Sequence, residues 1–300
     1  MAALVRQVAL VSESNQVGMS DLLRVSAALQ KQASRDLAPI WEISGTVDAF
    51  AALEDVPDGY WPMIVMDDIG FPGAAGIHLD RDGQPFALIS SSPDLDTWAL
   101  TASHEMCEML VDPSGNRQVT GDSPKPGQGR VSFVVEVCDP SEAADFGYTS
   151  NGVLVSDFYT PHFFDPVAGT NVRYSFTGAL KAPRQVLRGG YLSWVDPPSN
   201  HLWQEIWFEG GTPTFRDLGP APTTSGSLRE FIDSKTEVNR ATAIARGRAR
   251  AQFAGFDLAL GMQSSTANAA RWRRQITNIL GRYRKGRGKG TKHTKRVRRK

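Results

Sequence analysis

The stretch TASHEMCEMLVDP, residues 101–113, constrains the rest of the chain most strongly. Positions four apart on an α-helix share a face, about 40° from one another, so His104 and Glu108 can grip one ion together. Ala102, Met106 and Met109 fall roughly opposite, which gives the segment an apolar stripe and a chemical stripe. Such a helix packs on one side and floors a site on the other. The segments before it therefore read as scaffold and those after it as walls. A surface helix carrying one His and two Glu explains the same spacing, so the surrounding sequence decides.

Three hundred residues, 41% hydrophobic and 22% charged, suffice for one sizeable domain with an appendage or for two small ones. A core of that size needs neither disulfide nor metal merely to fold. Two cysteines, Cys107 and Cys138, make no disulfide framework and suit a reducing compartment. The first residues lack the apolar region of a signal peptide. No apolar run approaches the roughly 18 residues of a membrane span, and no membrane partner is expected.

Residues 7–12 read as a short apolar strand. Ser20 or Asp21 caps a helix to about Leu37, with Leu22, Val25, Leu29 and Ala33 at helical spacing and Pro39 as its stop. Strands are predicted at 41–47 and 61–66, with a short helix at 48–53 between them. The Asp80-Arg81-Asp82-Gly83 turn predicts a hairpin flanked by 77–79 and 85–89. Asp94 or Asp96 then caps the motif helix. Residues 116–130 read as a flexible loop or lid, and 131–140 as a strand interrupted by Glu136. From 152 to 217 the chain is strand-like and aromatic, punctuated by Pro and Gly.

Strand, helix, strand, strand, hairpin, then a helix bearing HE is the order found in zincin-type metallopeptidases. The set His104-Glu105-x-x-Glu108, Asp112-Pro113 and Glu136-x-x-Asp139 resembles the zincin-like core of Exordium/phosphate-induced proteins and of many bacterial and phage proteins. The pattern covers about residues 1–165. It departs from the family in placing Cys138 inside the ExxD unit. The resemblance implies an α+β fold, α/β-like in its N-terminal half, with a mixed sheet and an active-site helix. It also implies a zinc-dependent peptidase: Zn2+ held by His104, Glu108 and Glu136, with one coordination position open, and Glu105 as general base. Asp139 becomes the group that orients the imidazole. Beside the resemblance, Asp112 reads either as the cap of the helix exit or as a further ligand, and His162 either as a packed loop histidine or as a ligand or transition-state donor. The hairpin around 78–90 is where an extended peptide or protein substrate would pair.

Two carboxylate ligands neutralise a dication, so such a site is either a sluggish hydrolase or one kept for structure. Cys107 and Cys138 suit a sulfur-containing site less well than they suit a core. Tyr148 and Tyr159 each read either as packed rings or as oxyanion donors, and His201 as a loop residue.

Of the 33 Lys/Arg, fourteen lie in residues 271–300 with no Asp or Glu, leaving nineteen against 32 acidic groups, a net of −13. An acidic body with a basic tail is two electrostatic objects on one string. The divisions expected are 1–165 (metal domain), 166–219 (β-rich completion of the core), 220–284 (helical extension) and 285–300 (basic tail). Such a tail is suited to nucleic acid or another acidic partner through counterion release. A second function class follows: a catalytically silent, cytoplasmic or virion-associated binding protein.

Overall fold

Alternation along the first strand sets up the architecture. In β1 (Val5–Ser12), Val8 and Leu10 enter one apolar cluster and Ala9 and Val11 another, all four fully buried, so the strand runs through the middle of a sheet covered on both faces. The computed structural model describes residues 5–71, 73–222, 227–236 and 266–287. Helix α1 (Met19–Lys31) buries Leu22, Val25 and Leu29 against the first cluster. It continues as a π-helical stretch (Gln32–Leu37) into α2 (Ala38–Trp41). Pro39 therefore does not end the helix: it sits in the first turn of α2, where a missing N–H is harmless, and the stop comes at Glu42 in the left-handed region (φ 54°).

The second strand, β2 (Ser44–Phe50), accordingly starts later than predicted and absorbs half of the short helix expected there. Strands β3 (Trp61–Met66), β4 (Gly76–Arg81) and β5 (Gln84–Ser90) complete a sheet of order β2-β1-β3-β5-β4. The β1–β2, β1–β3 and β3–β5 pairs are parallel, whereas β4 runs antiparallel to β5. The hairpin turns at Asp82 and Gly83, both at positive φ (58° and 77°), as a two-residue turn requires.

Helix α3 (Leu95–Val111) carries the motif. Asp94 caps it by accepting a hydrogen bond from the Thr97 amide. Every residue from Trp98 to Val111 is buried, so α3 is a central rather than a surface helix.

Beyond α3, residues 116–130 are not a free loop: β6 (Gln118–Asp122) pairs antiparallel with β7 (Arg130–Val134). The predicted strand at 131–140 stops at Val134, and Glu136 lies in irregular chain leading to a 3-10 turn at Asp139–Ser141. Strands β8 (Tyr148–Ser150) and β9 (Val153–Val155) form a small hairpin. Then β10 (Tyr191–Asp196), β11 (His201–Ile206) and β12 (Thr214–Pro220) join β7 and β6 in a second sheet of order β12-β11-β10-β7-β6. Chain from both sides of residue 165 thus shares one sheet.

Helix α4 (Leu228–Lys235) begins with a Ser227/Glu230 capping pair, in which the Ser227 hydroxyl accepts from the Glu230 amide. Helix α5 (Thr266–Arg287) lays Trp272, Ile276 and Ile279 on the face of the first sheet opposite α3, with Trp272 against Phe86. The molecule is therefore of mixed α+β class. Residues 237–265 of the helical extension expected at 220–284, and the tail beyond 287, lie outside the described residues.

Candidate metal centre

Period-2 geometry on β4 places the first unexpected group. Ile77 and Leu79 enter the cluster capped by α5, so the side chain between them, His78, faces α3. It is buried, with Nδ1 3.5 Å from Glu105 Oε2 and 3.6 Å from Glu108 Oε2, and neither ring nitrogen makes a well-formed hydrogen bond. Strand and helix meet closely because residue 76 is Gly. A Cβ there would stand 2.6 Å from Thr101 Cγ2 and 2.7 Å from Glu105 Oε1.

The helical spacing brings His104 Nε2 to 3.2 Å from Glu108 Oε1, and the same nitrogen lies 3.2 Å from Asp139 Oδ1. Neither contact has hydrogen-bond alignment, and Nε2 is buried without another partner. Glu108 Oε1 also accepts from the Cys138 amide (3.2 Å). Buried donor atoms within 4.8 Å of one another form four overlapping groups: His104/Glu108/Cys138, His78/Glu105/Glu108, His104/Asp139/Glu142 and Glu108/Glu136/Asp139.

A residue that motif reasoning missed sits in the last of these. Arg229, from α4, is completely buried, with Nη1 2.8 Å from Asp139 Oδ2, 2.9 Å from Glu136 Oε2 and 3.5 Å from Glu108 Oε2. Its Nε donates to Asp233 Oδ2 (3.0 Å), one turn along the same helix. No motif announces Arg229; the only sequence signal is a cation on a short amphipathic helix in an acidic body.

Charge in this dry space is settled by competition. For His104, burial disfavours the imidazolium, but the charge of Glu108 and contacts with Asp139 outweigh it, and the pKa rises well above its usual value. Burial likewise opposes ionisation of Glu105 and Glu108, yet His78 and His104 hold Glu105 below its usual range, and His104 and Arg229 hold Glu108 well below. Glu136 goes the other way. Burial pushes it well up, and Glu108, Asp139 and Asp112 add to that against the pull of Arg229. Burial and Cys107 keep the Cys138 thiol protonated, which disfavours a thiolate ligand.

The donor set suits a divalent ion. A tetrahedral zinc with bonds of about 2.1 Å separates its ligand atoms by roughly 3.4 Å, close to the spacing of His104 Nε2 from Glu108 and Asp139. The orphaned imidazole nitrogens point to the same chemistry. Glu136 is the exception, because it gathers with Glu108 and Asp139 around Arg229 and, among the described residues, in no group with His104.

The residues singled out by sequence are thus partly assembled. His104, Glu105, Glu108, Glu136 and Asp139 share one buried space. Asp112 closes the helix exit, where Oδ2 accepts from the Arg117 amide (2.7 Å). His162 is exposed beside Asp165, its Nδ1 2.9 Å from Oδ2, and His201 pairs with Asp217 on the surface. Tyr148 donates to Asp36 (2.8 Å), whereas the buried Tyr159 phenol feels the charges of Glu136, Glu108 and Asp139. The chain matches no protein-family model, no curated protein and no solved structure, so the site is read from its own chemistry.

Proposed function

We propose that the buried cluster is the metal centre of a zincin-like, zinc-dependent peptidase. The observation that carries this reading is the approach of His104 Nε2 to Glu108 and to Asp139, 3.2 Å each, within overlapping groups of buried donors that also include Glu105. The sheet supports it: parallel strands end in one antiparallel edge hairpin directly before the HExxE helix. His104 and Glu108 would hold the ion from α3. The acid from the following segment would be Asp139, or Glu136 once Arg229 releases it. A bound dication would polarise a scissile carbonyl and make water more acidic. Glu105, kept ionised beside His78, is placed to accept the proton of that water. The edge strand β4 would align an extended peptide.

Metal analysis with a Glu105→Gln variant tests the assignment. One zinc per chain should bind in both proteins, and peptide cleavage should fall about a hundredfold or more in the variant. Absence of zinc from the wild type removes the reading.

Arg229 favours a second reading, in which the cluster is a closed ion-pair core and the protein binds without catalysis. The basic stretch 271–300 would then serve an acidic partner such as nucleic acid, with binding that weakens steeply as salt rises. Among the described residues no helix is long and apolar enough to cross a membrane.

A further inference from the structure

Resting on the metal-centre reading, we propose that α4 is an internal latch and that Arg229 and a divalent metal ion are alternative cations for the same carboxylates. Glu108 is the shared element: Oε1 lies 3.2 Å from His104 Nε2, while Oε2 lies 3.5 Å from Arg229 Nη1. A dication on the His104 side would face the guanidinium across one fully buried carboxylate. In a poorly screened interior that repulsion is severe, so one cation excludes the other.

The latch is built to seat Arg229. Gly115, at φ +63° in the turn that ends α3, leaves room for it: a Cβ there would stand 2.9 Å from the Arg229 Cβ. The Arg229 amide donates to Gly115 O (3.2 Å) and the Leu228 amide to Asn116 Oδ1 (2.9 Å). On the outer side Arg81, at the end of β4, grips Glu230 with two hydrogen bonds (2.9 and 2.7 Å). Helix α4 is thereby fastened to the strand on which an extended peptide would pair. Its release frees Glu136 and Glu108 and uncovers that edge in one motion. The attachments at Arg81 and Asn116 are partly exposed, and such contacts are individually weak. Ile232, packed with Val134, Tyr191 and Leu202, keeps the far side of the helix anchored.

The test uses the full chain and zinc ions. Hydrogen exchange of residues 228–235 is followed with and without zinc, and zinc affinity is measured for wild type, Arg81→Ala and Arg229→Gln. Zinc should speed exchange in α4 about tenfold or more. Arg81→Ala, which loosens the latch away from the cluster, should tighten zinc binding several-fold, and Arg229→Gln should tighten it further. If Arg229→Gln does not fold, the wild-type exchange and Arg81→Ala still decide. Stoichiometric zinc binding with α4 exchange unchanged or slowed, and with Arg81→Ala at wild-type affinity, would overturn the latch and leave the metal centre standing. No zinc bound by the wild type would overturn the metal centre and the latch with it.

Discussion

Two arginines in this molecule each gather several carboxylates, and their surroundings give them opposite weight. Arg229 is sealed between α3, the Asp139 turn and α4, and its partners are Asp139, Glu136, Glu108 and Asp233. Arg273, on α5, bridges Glu13 and Glu54, but its side chain is 45% exposed. Coulomb attraction is similar in kind at both. Bulk solvent screens the second and does not reach the buried first, so only at Arg229 does removing one member strand the others without compensation. A surface ion pair is decoration on the fold; a buried one is a commitment that either structure or function has to use.

Arg229→Ala breaks the larger network and should lower the stability of the metal-free protein by about 3–5 kcal/mol in denaturant unfolding. A loss below about 1 kcal/mol would mean that the carboxylates are already neutralised by protonation. Zinc at saturating concentration should recover part of the loss, because the ion replaces the missing cation.

Glu205, half-buried on β11, is an acid of the contrasting kind, since among the described residues no cation lowers its pKa. Burial alone raises its pKa from 4.5 to about 7, and its Oε2 has no hydrogen-bond partner. The folded state therefore binds this proton more tightly than the unfolded chain. Its contribution makes stability fall as pH rises from about 4.5 to about 7, and the full penalty is present above that. Glu205→Gln should flatten this slope and raise the melting temperature at pH 8 relative to wild type. An unchanged slope would place the titration elsewhere.

The smallest effect belongs to Arg273→Ala, at no more than about 1 kcal/mol and less in high salt. A larger loss would show that this arginine helps seat Trp272 and α5 on the sheet.

What could be read from the sequence follows how local each signal is. The Asp94 cap, the i, i+4 pairing of His104 with Glu108 and the Asp82-Gly83 turn depend on neighbours in the chain, and each appears where its spacing placed it. His78 was readable in principle: with Ile77 and Leu79 on one face, strand periodicity sends it to the other, toward the acids of α3. The strand predicted through Glu136 failed because an apolar run looks the same whether it joins a ladder or folds irregularly into a core. Pro39 misled because proline stops a helix in its interior yet suits a first turn. Arg229 lies far beyond α3 in sequence, and no local pattern reports a contact formed by tertiary packing.

Anomalous diffraction at the zinc edge from crystals of the zinc-loaded protein tests the central claim most directly. The account predicts one strong peak bonded to His104 Nε2 and Glu108, with the Arg229 guanidinium withdrawn from Glu136. A peak only at surface residues, or none with Arg229 still seated among Glu108, Glu136 and Asp139, would contradict it.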